Sequence, residues 1–152
     1  MKLDDPRTVE GLIDRLRALH PDSERRWGTL TAGEMLCHVA DGLRFMVEGE
    51  GGLKVEPPAK GRPVLKWVAL YVLPRSGKNY PTHPKADPKK EGTKPTDFES
   101  DRERAIQDLR VFAAAPAEAL KAYHPLFGAM SRRDWHQSTY KHLDHHLRQF
   151  GV

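Results

Sequence analysis

Residues 131–150 read SRRDWHQSTYKHLDHHLRQF. Ser131 and Asp134 have capping-box spacing, in which a hydroxyl and a carboxylate three residues apart satisfy orphan amide donors at a helix start. Beyond the cap, Trp135, Thr139, His142, Leu143, His146, Leu147 and Phe150 recur at helical intervals. On a helical wheel Trp135, Thr139, His146 and Gln149 fall within about 60° of His142, and the leucines and Phe150 continue that arc to about 140°. Lys141, Asp144 and Arg148 fall on the other side, and His145 sits at the edge. The pattern predicts an amphipathic helix, ending near Phe150, with two imidazoles in its buried arc.

Two imidazoles removed from water side by side need partners, because an unpaired polar group is costly in an apolar interior. Positions i and i+4 are stacked neighbours on a helix surface, so His142 and His146 aim at one point. A divalent ion satisfies both nitrogens, and helical His pairs at this spacing are a known way to hold zinc and its relatives.

Three further helices are legible. Pro6 suits a first helical turn, and Val9, Leu12, Ile13, Leu16 and Leu19 form one stripe closed by His20-Pro21. Thr31-x-x-Glu34 is a second capping box. It opens a helix that runs to about Val47 and stops at Gly49, Gly51 and Gly52, with Trp27-Gly28 as a packing plug at its entrance. A helix starting near Asp97 carries Phe98, Ala105, Ile106, Leu109 and Phe112, breaks at Pro116 and continues briefly to Tyr123. His124 to Gly128 reads as a turn. Residues 49–96 form a crossover too long for a plain connection. It is rich in Pro, Gly and Lys, and its one helical stretch is Val64–Val72. The expected architecture is all-α, a four-helix bundle in a single domain over residues 1–152.

A chain of 152 residues can bury a real core. No run reaches the 18 or so apolar residues of a membrane span, and Met1 to Pro6 has no signal-peptide h-region. Cys37 is the only cysteine, so neither an internal disulfide nor a thiolate metal cage is available, and a cytoplasmic setting is expected. The net charge of +4 is uneven: residues 54–94 hold ten Lys/Arg against three acids, leaving −3 for the rest. Such a stretch suits anionic partners. Only Trp67, Tyr71 and Tyr80 are interleaved for base stacking, so nucleic acid ranks last among them.

Two helical imidazoles are too few for a tight site. The best third donor is His38, amid the apolar residues of the second helix; Cys37 lies about 100° away on the wheel and faces elsewhere. Three His donors leave room for water or substrate, as in catalytic rather than structural sites. Glu34 and Asp41 flank His38 at i−4 and i+3. Either can orient an imidazole or act as a base, although capping is the simpler reading of Glu34 and solvent exposure that of Asp41. Trp135, Thr139 and Gln149 share the ligand face and are expected to line the pocket. His20, His83, His124 and His136 read as turn or surface residues.

The order of His38 after a capped helix start, a long crossover, and His142-x-x-x-His146-x-x-Gln149 on the last helix resembles the DinB/YfiT superfamily of metalloenzymes. Trp27-Gly28, the His124 to Gly128 turn and the His142 to Gly151 tail are similar to an uncharacterised branch of it. The likeness touches both ends of the domain and says little about residues 50–96. It implies an up-down-down-up four-helix bundle with a divalent metal on His38, His142 and His146, and His145 as a neighbour able to pair with His142 at i,i+3. It also implies a metal-dependent hydrolase or a thiol-dependent transferase.

The expected cofactor is zinc or nickel, ahead of iron or manganese. The expected partner is a small molecule, anionic or a low-molecular-weight thiol. A homodimer through helix faces is a further expectation, and a membrane partner is not expected. Two alternatives remain: a non-catalytic metal-binding or stress-response module, and a nucleic-acid binder acting through residues 54–94.

Overall fold

A computed structural model describes residues 3–47, 62–75 and 82–152. The structure is mostly helical. Its helices are α1 (Pro6–Arg17), α2 (Ala32–Met46), α3 (Pro63–Trp67, continued by a π-helical turn Val68–Val72), α4 (Phe98–Ala114) and α5 (Arg132–Gln149). Short 3-10 turns occupy Pro84–Ala86 and Ala117–Ala119, and β1 (Tyr123–His124) pairs antiparallel with β2 (Gly128–Ala129).

The helix starts follow from local chemistry. Asp5 caps α1 by accepting from the Arg7 amide at 3.0 Å, with Pro6 in the first turn. Both capping boxes form, Thr31 with Glu34 and Ser131 with Asp134, and Asp97 caps α4 through the Ser100 amide. The helical continuation expected after Pro116 does not form. Its chain makes the Ala117–Ala119 turn and then the small hairpin, because Lys121 N donates to Met46 O at 2.9 Å and Met130 N to Ala122 O at 3.0 Å. These bonds satisfy the backbone against α2 and the hairpin instead of within a helix.

The core joins the apolar stripes of α1, α2, α4 and α5. Leu12, Ile13, Leu16, Met35, Leu36, Leu43, Ile106, Leu109, Phe112, Leu143 and Leu147 are fully buried. The broadest contact is that of α2 with α4. Each such side chain contributes about 1.5–3 kcal/mol relative to exposure.

The polar side of α5 does not face open solvent as expected. Asp144 pairs with Arg15 of α1 at 3.0 Å and with Arg148 at 2.9 Å. Lys141 is buried, and its ammonium donates to the carbonyls of Ala69 (2.6 Å) and Leu73 (2.5 Å). Asp134 accepts from Lys66 at 3.0 Å and from the Tyr71 hydroxyl at 2.6 Å. So α5 is lined on several sides by protein, and its many polar groups are matched by partners on α1 and α3. His136, expected near the surface, is completely buried against the Phe112 ring, with Nδ1 3.1 Å from Asp4. No helix among the described residues is long and apolar enough to cross a membrane. The expected helix stop at Gly49, Gly51 and Gly52 and the crossover residues 48–61 and 76–81 lie outside the described residues.

Candidate metal centre

His38 comes from the middle of α2, and His142 and His146 from successive turns of α5. One ring nitrogen of each lies within 4.8 Å of the other two. The ring centroids are 5.1 Å (His38–His142), 4.8 Å (His38–His146) and 4.6 Å (His142–His146) apart, with interplanar angles of 62°, 70° and 77°. The rings are therefore set edge to face rather than stacked. His38 is buried and His142 half-buried.

Hydrogen bonds fix which nitrogen is free in two of the three rings, His38 and His146. His38 Nδ1 lies 2.7 Å from the carbonyl oxygen of Ala86. A carbonyl only accepts, so Nδ1 carries the proton and Nε2 keeps its lone pair. Gln149 does the same for His146 by a relay. Its Nε2 donates to the Trp27 carbonyl at 2.6 Å, which turns Oε1 toward His146 Nδ1 at 3.0 Å. His146 Nδ1 must then be the donor, and its Nε2 is left as a base. Orienting a ligating imidazole through its other nitrogen is the usual support of a metal site.

Electrostatics keep the donors neutral. Burial pushes the His38 pKa down, against opposing contributions from the Ala86 bond, Asp41 and Asp87. Burial, and then the neighbouring His146, His38 and His145, push His142 well below the usual imidazole range. His146 is lowered to about 3, again mainly by burial. Neutral imidazole is the form that binds metal.

The donor set thus fits a borderline divalent ion. Bonds of about 2.0–2.1 Å place tetrahedral ligand atoms roughly 3.3 Å apart. The nitrogens here lie within 4.8 Å of one another, so the three rings would draw together on a bound ion. Among the described residues the group contains three donors, fewer than a filled coordination sphere.

The other expected site residues have different fates. Glu34 is engaged in the capping box: its Oε2 accepts from the Thr31 amide at 2.8 Å. Asp41 does not face solvent; it is 3 % exposed, accepts from Thr93 N (2.8 Å) and Thr93 Oγ1 (2.7 Å), and pairs with Arg44. It pins the returning crossover to α2, and its charge reaches His38 through space. Trp135 Nε1 donates to Lys121 O at 2.6 Å and its ring meets His124, so it anchors the hairpin. Thr139 is buried with Oγ1 3.2 Å from Met46 Sδ, a contact to the end of α2. His145 packs edge-on against Trp27 and His146 but is not one of the three grouped donors. Gln149 is the expected neighbour that the structure hydrogen-bonds to the three-histidine group. Cys37 faces α4, 3.3 Å from Arg104, and burial with nearby Asp101 pushes its thiol up to about 11.

Sequence reasoning missed the carbonyls of Ala86 and Trp27, which have no side-chain signature. One signal was present: Gly28 has φ +80°, and a Cβ there would lie 2.2 Å from Gln149 Nε2. The glycine of the Trp-Gly pair lets the backbone approach α5 closely enough for the relay. Of the remaining histidines, His124 accepts from the Leu126 and Phe127 amides and stiffens the hairpin turn, and His83 accepts from Lys85 N.

No curated protein and no solved structure matches the chain. One family does, over residues 3–151, and it is described as a protein of unknown function, DUF1569. That match spans α1 through α5 and all three histidines, so the chain belongs to the DUF1569 family.

Proposed function

We propose that this protein is a divalent-metal-dependent enzyme of hydrolase or thiol S-transferase type, with His38, His142 and His146 as ligands. The observation that carries the reading is the tautomer arrangement: Ala86 O and Gln149 Oε1 each accept a hydrogen bond from the Nδ1–H of a histidine in the group. Every neutral imidazole leaves one nitrogen bare, and here three such rings are gathered with a nitrogen of each within 4.8 Å of the others, a set of lone pairs that one cation satisfies. Zinc or nickel is favoured by an all-imidazole set, ahead of iron or manganese. When bound, such an ion supplies Lewis acidity that activates water or a thiol cosubstrate.

The chain's own residues do the rest. Gln149 and Ala86 O hold the rings in place, while burial keeps the imidazoles unprotonated. Asp41 and Asp87 provide negative charge near His38. The fold reading is an up-down-down-up four-helix bundle of α1, α2, α4 and α5, a distant relative of the DinB/YfiT type, acting on a small anionic molecule or thiol in the cytoplasm.

The test has two parts. Elemental analysis of purified protein should find close to one equivalent of a divalent metal, lost in the His38/His142/His146→Ala triple variant. Turnover should then be screened on ester, amide and electrophilic substrates with and without low-molecular-weight thiols. Metal without any turnover selects the non-catalytic binding module. Absence of metal, with no affinity for added zinc or nickel, overturns the reading.

A further inference from the structure

The segment 62–75 has its amphipathicity reversed. Polar groups point inward: Lys66 Nζ donates to Asp134 and to Ala129 O, the Tyr71 hydroxyl donates to Asp134, and the Ala69 and Leu73 carbonyls receive Lys141. Leu70 alone of its large aliphatic side chains is buried. The apolar side faces out, with Val64 73 %, Trp67 60 %, Val72 51 % and Leu73 49 % exposed. Single exposed apolar residues are ordinary, but several exposed on one short segment whose polar groups turn inward mark an interaction surface.

The charge around the ridge selects its partner. By sequence, residues 57–86 contain six Lys/Arg and no Asp or Glu, and of these Lys66 is turned inward onto Asp134. Arg62 and Arg75 flank the ridge and are exposed, as is Lys85. A two-fold dimer through this ridge would set each copy's cations against their own duplicates, because an isologous interface repeats one patch on both sides. Nucleic acid is disfavoured because Val64, Val72 and Leu73 have no ring to stack on a base, and the Tyr71 ring is already covered by Arg133 at 5.4 Å.

We propose that the outer face of α3 and the turn after it lie on the surface of an anionic lipid bilayer. Trp67 and the aliphatic ridge enter the headgroup boundary while Arg62 and Arg75 meet lipid phosphates. Short apolar insertion joined to basic flanks is the usual combination for reversible surface attachment. Lying on a membrane differs from spanning one. The proposal therefore amends the expectation of no membrane partner without conflicting with the absence of a membrane-crossing helix among the described residues.

The test is cosedimentation of the full chain with phosphatidylcholine vesicles, with and without about a third phosphatidylglycerol. Binding should require the anionic lipid, weaken steeply between low and high salt, and blue-shift the part of the tryptophan emission absent from Trp67→Phe. Trp67→Glu/Leu73→Glu and Arg62→Glu/Arg75→Glu should each lower partitioning about tenfold or more, with the helical circular dichroism spectrum and melting temperature of each variant unchanged. Four outcomes overturn the proposal: no vesicle binding, equal binding to neutral vesicles, self-association abolished by Trp67→Glu/Leu73→Glu without lipid binding, or binding of a single-stranded oligonucleotide in place of vesicles.

Discussion

Replacing Gln149 by Leu isolates the support of the proposed metal centre from its three histidines. Gln149 is 4 % exposed and its side chain makes two bonds, one with His146 Nδ1 at 3.0 Å and one to the Trp27 carbonyl at 2.6 Å. Leucine fills nearly the same volume and makes neither. Without Oε1, His146 loses the group that fixes its tautomer and ring angle. Loss of such a support typically costs 10–100-fold in metal affinity, or about 1.4–2.8 kcal/mol. The metal-free protein suffers separately, because the Trp27 carbonyl is left without its donor, at about 1–3 kcal/mol. For a chain of this size that is roughly 2–12 °C in melting temperature. Gln149→Glu separates the two effects. It retains an acceptor for His146 but sets a carboxylate against the Trp27 carbonyl, so it should bind metal better than the Leu variant while being no more stable. The assay is zinc competition against a chromophoric chelator, paired with melting in excess chelator. A Leu variant that is folded and holds zinc within about twofold of the parent would refute the reasoning.

Gly28→Ala should act on the same relay from the other side. The added Cβ meets Gln149 Nε2 at 2.2 Å in a left-handed conformation, so zinc affinity and stability should fall together by more than 1 kcal/mol in stability; unchanged melting would contradict it. Acid should destabilise the metal-free chain well before carboxylates titrate. His38, His124, His136, His142 and His146 all have lowered pKa values, with burial the largest cause in each. For His124, held at about 4, the unfolded chain binds the extra proton between pH 6.5 and about 4. Stability is full above 6.5 and falls with pH through that window; denaturant midpoints that stay flat from pH 7 to 5 would refute this. Asp134 adds a second step lower down. Burial opposes its charge, but bonds from Tyr71, Ser131 and Lys66 outweigh this and hold it at about 2. Its contribution of roughly 2 kcal/mol is present above the ordinary carboxylate value and disappears as pH falls toward 2. Tyr71→Phe should shrink that step without altering zinc affinity, and an unchanged acid transition would count against the assignment.

What a chain reveals before folding is one-dimensional: spacing and caps. Thr31 with Glu34 and Ser131 with Asp134 are local arrangements, so their helix starts were legible, and both boxes form. The i,i+4 spacing of His142 and His146 follows from the helical repeat alone. Pairing them with His38 needed only that two amphipathic helices share a core, and the three rings do converge. The choice of partner for each polar face was not legible. Asp41 and Lys141 sit on positions that periodicity assigns to solvent, and His136, although its position falls in the apolar arc of α5, is a residue type that reads as surface. Thr93, the carbonyls of Ala69 and Leu73, and Phe112 with Asp4 cover them, all from segments distant in sequence. Tertiary structure alone also decided the free nitrogens of the site. The Ala86 and Trp27 carbonyls act through the backbone, which every residue carries alike, so only the folded chain shows which carbonyl arrives beside which ring.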